Sequence, residues 1–280
     1  MSTLTRRTAS ELPRPDAVLS QAGAENFTVA SVLLGRQRQR NLMAIYGFAR
    51  LVDDVGDEAS GDRDALLDVV ESELDQIYAG GRPSHPLMAT LAGTVRDCRL
   101  PPEPFRRLIE ANRRDQVVSR YETFDQLLDY CRLSAAPVGE LVLHVFGAAT
   151  PERIALSDRI CAALQIIEHL QDVAEDRARG RIYLPTEDRE RFGVGEADLA
   201  SPSGAWRSLL AFEAARARAL LAGGAPLART LPPRPRLAVA GFVAGGRRAL
   251  DLLEYDAGGP GERPGRRRFA TLFVRAAMGR

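Results

Sequence analysis

Between Gln39 and Asp57 the residues Leu42, Ile45, Tyr46, Ala49, Arg50, Asp53 and Asp57 recur at three- and four-residue intervals, which places them in one line on an α-helix. A strand cannot present that set on one face, because its side chains alternate at every second residue. The line changes character along its length, from apolar residues to tyrosine and arginine and then to carboxylates. Later in the chain the pattern returns. An apolar side made of Ile154, Cys161, Leu164, Ile167 and Leu170 runs beside the polar line Gln165, Glu168, His169, Asp172 and Asp176.

Helical spacing also predicts a short helix over Ala22–Ser31 and longer ones over Ala65–Tyr78, His85–Arg99 and Pro104–Ser119. Further helices are expected behind Thr123 as far as Leu133, over Leu141–Phe146, along Pro151–Arg179, and over Ser203–Leu221, Leu237–Tyr255 and Phe269–Met278. Gly80, Gly81 and Pro83 end one of them. Pro137-Val138-Gly139 should break or kink another. The stretch Gly180–Arg191, with Pro185, reads as a loop, and the cluster Pro226, Pro232, Pro233 and Pro235 as a connector. No alternating run of useful length competes, so the expected fold class is all-α. Residues 1–20, with Pro13 and Pro15 among small polar residues, read as a loose tail, and 21–280 as a single helical domain.

Hydrophobic residues make up 45% of the chain and charged residues 27%, the balance of a soluble globular protein. A net charge of +1 gives no global attraction to nucleic acid. All 38 basic side chains are arginine, a residue suited to phosphate contacts. Cys98, Cys131 and Cys161 are odd in number and far apart, which predicts reduced thiols rather than a disulfide frame or a zinc site. The N-terminus lacks the apolar core of a signal peptide, and no stretch reaches about 18 apolar residues. The expected location is the cytoplasm, with peripheral membrane contact left open and the cluster Arg266-Arg267-Arg268 as its candidate.

Asp53 and Asp57 form an i, i+4 pair, and so do Asp172 and Asp176. Like charges stacked in this way repel by up to about 0.5 kcal/mol on an exposed helix. A solvated face tolerates that. Here, however, Val52, Val55, Val173 and Ala174 flank the acids, and the polar line extends a stripe that otherwise reads as buried. A cation is the natural neutraliser, and two helices facing each other across a cavity could hold Mg²⁺ against a diphosphate. Mg²⁺ takes oxygen ligands and keeps places for waters and substrate phosphates. Neither stretch carries the glycine-bearing loop of a calcium site or the His/Cys set that zinc prefers. No P-loop, nucleophile elbow or dinucleotide fingerprint is present. Asp54 is a candidate outer partner of the metal ligands, whereas Glu58 and Glu175 read as surface residues. His85 and His144 belong to no constellation.

The run Ala44–Asp57 (AIYGFARLVDDVGD) resembles the first aspartate motif of squalene and phytoene synthases. Leu164–Asp176 (LQIIEHLQDVAED), followed by Gly180–Pro185 (GRIYLP), resembles the second. Tyr130-Cys131-Arg132 through Pro137-Val138-Gly139-Glu140 is similar to the family's mid-chain helix. Glu25-Asn26-Phe27 with Val29-Ala30-Ser31 is most similar to the bacterial hydroxysqualene synthase branch of hopanoid biosynthesis, whose members convert presqualene diphosphate through a carbocation captured by water.

The resemblance implies an isoprenoid-synthase helical bundle and Mg²⁺ held by Asp53, Asp57, Asp172 and Asp176. It implies Tyr46 and Arg50 near the diphosphate and Phe27 near the reacting carbons, with Asn26, Val138, Gln165, Glu168 and His169 as further substrate contacts. Tyr183, Glu168 and His169 are candidates to position water, and Tyr183 joins the four aspartates as a candidate catalytic residue. Asn26 stands where the family commonly has serine, Glu168 where many members have asparagine, and Gln171 where phytoene-type enzymes have arginine. The last two make the diphosphate end less positive, which suits one substrate diphosphate better than two. The expected partners are a prenyl diphosphate and neighbouring enzymes of the pathway, and no nucleic acid. The alternatives are head-to-head joining of two farnesyl or geranylgeranyl diphosphates to squalene or phytoene, an all-α Mg²⁺ nucleotide pyrophosphohydrolase, and a helical adaptor without catalysis.

Overall fold

The computed structural model describes residues 8–20, 35–200 and 203–256, without the side chains of 200, 255 and 256. The helices expected over Ala22–Ser31 and Phe269–Met278, the residues Asn26 and Phe27, and the Arg266–Arg268 cluster lie outside the described residues. Among the described residues the regular structure is helical, as the spacing predicts, and the one β feature is an isolated bridge between Arg120 and Ile182. No described helix is long and apolar enough to cross a membrane.

The chain divides into two compact units, Met1–Val117 with Glu140–Ala149, and Val118–Gly139 with Thr150–Arg280. The first unit is built on α2 (Arg36–Asp57), against which α1 (Pro15–Ser20), α3 (Arg63–Tyr78), α4 (Pro86–Cys98) and α5 (Glu103–Asp115) pack. The apolar part of the α2 stripe supplies the core: Ile45, Phe48, Leu51, Val52 and Val55 are buried, and Phe48 meets Phe105 edge-on at 4.9 Å. Such a pair adds about 0.5–1.5 kcal/mol beyond its buried area. Asp62 caps α3 by accepting a bond from the Ala65 amide at 3.0 Å. The loose tail expected for residues 1–20 is corrected from residue 8 onward. Ala9–Glu11 forms a 3-10 turn and α1 packs on α2, because Val18 is an apolar anchor with no exposed surface.

The second unit holds α6 (Phe124–Ser134), α8 (Pro151–Gln171), α9 (Val173–Ala178), α10 (Thr186–Arg191), α11 (Gly204–Gly224), α12 (Leu227–Thr230) and α13 (Pro233–Asp256). Residues of α7 (Ala136–Val145) divide between the units, Ala136–Gly139 falling in the second. Helix α8 is the spine of this unit, packed by α11, α13 and α6. It comes close to α11 at Gly224, where a Cβ would stand 2.7 Å from the Leu156 carbonyl oxygen and 3.0 Å from the Ile160 amide. Buried Asp188 of α10 pairs with Arg216 of α11, whose guanidinium also covers the Phe124 and Phe212 rings at 4.4 and 4.3 Å.

The prolines lie a few residues from the breaks that their positions predict. The break lies at Ala135, and Pro137 sits in the first turn of α7; Pro233 and Pro235 likewise open α13 instead of forming a connector. First-turn amides have no intrahelical acceptor, so proline costs little there. Within the stretch expected to be a loop, Thr186–Arg191 is helical. The long segment Pro151–Arg179 breaks at Asp172, which has φ −104 and ψ 16. The bonds from Asp172 N to Glu168 O at 2.9 Å and from Asp176 N to Asp172 O at 2.8 Å carry the i, i+4 register across that break.

Candidate functional site

In the first unit, the α2 line places Tyr46, Arg50, Asp53 and Asp57 in register, with Tyr46 buried, Arg50 and Asp57 half-buried and Asp53 exposed. Arg50 is held by its own helix: its Nη2 lies 2.7 Å from Asp54 and 3.2 Å from Glu58. Asp54 is buried and serves as the inner partner of Arg50; Glu58, a surface residue as expected, completes the clasp. Asp53 Oδ1 accepts a bond from Asn112 Nδ2 at 3.1 Å, and the Asp57 carbonyl accepts one from Arg63 Nη2 at 2.8 Å. Crowding by protein atoms pushes the Asp53 carboxyl up to about 7; the Asn112 bond opposes the rise, Asp57 adds to it, and Arg50 again opposes it. The side chain still meets water, so crowding acts here without full burial.

In the second unit, Gln165, Glu168, His169, Asp172 and Asp176 follow one another along the end of α8 and into α9. Gln165 Nε2 lies 3.4 Å from Glu168 Oε2 and 3.3 Å from His169 Nε2. His169 Nδ1 is 3.7 Å from Asp176 Oδ2, within ion-pair reach but too long for a hydrogen bond. Asp176 Oδ2 is buried and has no hydrogen-bond partner. Asp172 is exposed, and its carboxyl is raised by partial desolvation and by the neighbouring Asp176 and Glu175. Glu175 is a surface residue paired with Arg179 at 2.9 Å.

The structure adds an aromatic stack to this line. The His169 ring lies flat on Tyr183, with centroids 3.7 Å apart and planes at 12°. Tyr183 in turn stacks on Tyr130 at 5.6 Å and on Tyr121 at 5.9 Å. Arg120 fixes the strand-like piece that carries Tyr183, donating to Gly180 O at 2.7 Å beside the Ile182 N to Ser119 O bond at 3.0 Å. Val138 is half-buried in α7. Sequence reasoning missed Asn112 and Tyr121 because their partners are distant in the chain, and Arg63 because its bond goes to a nearby backbone carbonyl, which no side-chain spacing marks. Tyr130 was visible in the mid-chain motif, though not as part of a stack.

The chemistry of the donors fits Mg²⁺. Each stretch offers a pair of carboxylates. The buried Asp176 Oδ2, which makes no hydrogen bond, is a free oxygen donor of the kind such a cation takes. Among the described residues no three His, Cys, Asp or Glu side chains gather closely enough to hold a metal ion unaided. A pair suffices where waters and substrate phosphates complete an octahedron.

Comparison with known proteins extends this picture. The squalene/phytoene synthase family profile matches residues 20–265. Hydroxysqualene synthase of Zymomonas mobilis is 40% identical over 181 residues, covering 62% of this chain and 59% of that protein. This chain thus matches only about three-fifths of that relative's length. The Rhodopseudomonas palustris hydroxysqualene synthase is 37% identical over 210 residues, covering 73% and 70% respectively. The 15-cis-phytoene synthase of Synechocystis sp. is 36% identical over 211 residues, covering 70% and 62%. Among solved structures, squalene synthase HpnC from Alicyclobacillus acidocaldarius matches with a TM-score of 0.81 at 39% identity, covering 91% of this chain and 100% of that one. A family profile that spans most of the chain, with structural agreement over 91% of it, shows that this chain belongs to the squalene/phytoene synthase family.

Proposed function

We propose that this protein converts presqualene diphosphate and water to hydroxysqualene and diphosphate. The observation that carries the reading is the likeness to hydroxysqualene synthases, joined to two i, i+4 aspartate pairs, one within α2 and one whose register spans the α8–α9 junction. Bound Mg²⁺ would supply charge to the departing diphosphate. Asp53 and Asp57 of α2 and Asp172 and Asp176 at the α8–α9 junction are the residues that would hold it. Arg50, already clasped by Asp54 and Glu58, is oriented rather than freely swinging, so its contribution at the diphosphate is directional.

In the reaction the carbon–oxygen bond to the diphosphate breaks and its electron pair leaves with the diphosphate. Water adds to the rearranged cation and gives up a proton, which the released diphosphate can accept. His169 and Tyr183, stacked at 3.7 Å with the His169 ring beside Asp176 at the acidic line, are the residues assigned to water placement. Asn26, Phe27, Tyr46, Val138, Gln165 and Glu168 remain the assigned substrate contacts. The partners proposed are the prenyl diphosphate and neighbouring pathway enzymes, in the cytoplasm or at a membrane surface.

Head-to-head condensation of two farnesyl diphosphates is the second reading, favoured by the 36% identity to a phytoene synthase and by the likeness to the squalene synthase of Alicyclobacillus acidocaldarius. Family membership speaks against a nucleotide pyrophosphohydrolase. Incubation with Mg²⁺ and either presqualene diphosphate or farnesyl diphosphate, followed by organic extraction, separates the readings. The expected product is a C30 alcohol from presqualene diphosphate, with little from farnesyl diphosphate. A C30 hydrocarbon formed from farnesyl diphosphate establishes the second reading instead: squalene where a nicotinamide hydride donor is added, or its dehydro counterpart, formed by proton loss, where none is.

A further inference from the structure

Asn112 of α5 is only 7% exposed, and its side chain lies against α2 at the one turn where α2 carries Gly56. A Cβ at position 56 would stand 2.1 Å from Asn112 Oδ1 and 2.9 Å from its Cγ. The amide therefore fits only because residue 56 has no side chain. Asn112 Nδ2 donates to Asp53 Oδ1 at 3.1 Å and to Leu108 O at 3.2 Å. A backbone carbonyl can only accept, so the amide nitrogen must be the atom on that side, and its second hydrogen is the one aimed at Asp53. One turn further along, Gln116 donates to Gly56 O at 3.0 Å and to Asn112 O at 2.9 Å.

We infer that Asn112 is a positioning residue for Asp53: it tethers one carboxylate oxygen so that the other is presented to a divalent cation, and Gly56 is the notch that admits it. The inference rests on the reading of Asp53 as a metal ligand given above. Two features of the amide suit the task. It is neutral, so it orients the carboxylate without cancelling the charge that attracts the cation, as a guanidinium would. It is also held by a second acceptor on its own helix, so its hydrogen is fixed in direction before any cation arrives. Partners of this kind, hydrogen-bonded to a metal-ligating carboxylate, commonly affect metal affinity about 10–100-fold when removed.

The test uses the full chain and Mn²⁺ with inorganic diphosphate as the probe, with free Mn²⁺ followed by electron paramagnetic resonance. Asn112→Leu and Asn112→Ala should each weaken Mn²⁺ binding about tenfold or more while far-UV circular dichroism stays that of the wild type. The second variant guards against a folding failure in the first. Gln116→Leu removes a comparable bond between the same two helices without touching Asp53; it should lower the melting temperature yet leave Mn²⁺ affinity unchanged. Folded Asn112 variants that bind Mn²⁺ like the wild type overturn the inference, and so does Gln116→Leu if it weakens binding equally. Asp53→Asn separates the two levels of argument. If it alone loses binding, positioning by Asn112 is wrong and the ligand assignment stands. If it binds normally, the ligand assignment falls and the inference with it.

Discussion

At Asp53 a single carboxyl links stability to metal. In the metal-free protein its folded value of about 7 stands above the ordinary aspartate value of about 3.9. The folded state therefore retains a proton that the unfolded state has lost, and stability falls as pH rises from about 4 through about 7, with no further change above. Mg²⁺ binds the ionised carboxylate, so its stabilising effect runs the other way and grows as pH rises through the same upper bound. Melting curves between pH 5.5 and 8.5, with and without Mg²⁺ and inorganic diphosphate, should show a larger metal-induced shift at the alkaline end. Asp53→Asn should flatten the metal-free slope and remove most of the shift. An equal shift at both ends of the range would detach this carboxyl from the metal. Cys131 gives the contrasting case of a group that burial silences: its thiol is pushed up to about 12, in line with a reduced and unreactive cysteine.

At the scale of elements, glycines mark where helices touch, and two of them should respond to the same substitution in opposite ways. Gly224 brings α11 against backbone atoms of α8, which cannot move aside as a flexible side chain could. Gly224→Ala should cost about 1–3 kcal/mol through overpacking. In a chain of this size that lowers the melting temperature by roughly 2–4 °C per kcal/mol. Gly93, inside α4, has nothing within 4 Å of an added Cβ. Gly93→Ala should gain about 0.5–1 kcal/mol from lost chain entropy alone. Thermal unfolding of both variants reads the difference, and equal signs would mean that the close approach at Gly224 is not a limiting contact.

Elements also show what was legible in the sequence. The α2 stripe was readable because its burial is periodic and local, and so were the acidic pairs, whose spacing survives even the break at Asp172. Proline positions were misjudged because the same residue ends one helix and opens the next, and only the chain geometry decides which. Residues 15–20, expected as part of a tail, form a helix that buries Val18 and packs on α2, a contact that lies beyond any local window. Asn112 meets Gly56 and Asp53, and Tyr121 meets Tyr183, from positions dozens of residues apart, so no pattern along the chain could have joined them.

For the molecule as a whole, the proposed reaction calls on an aspartate pair from each unit, Asp53 and Asp57 from the first and Asp172 and Asp176 from the second. If both pairs serve one ionising diphosphate, they act as a single device, and loss of either removes most of what the other can contribute. Asp53→Ala and Asp172→Ala should then each lower turnover of presqualene diphosphate by at least about 10²-fold, the scale on which removal of one electrostatic contact acts. Groups that act as a unit are strongly non-additive, so the double variant should be little slower than the worse single one. Independent contributions would multiply instead, to about 10⁴-fold or beyond. Far-UV circular dichroism of all three variants should match the wild type, since Asp53 and Asp172 are both solvent-exposed and neither supplies core packing. A multiplicative loss with helicity intact would mean that the two acidic stretches do separate work, and the common-diphosphate mechanism would have to be abandoned even if either stretch alone binds metal.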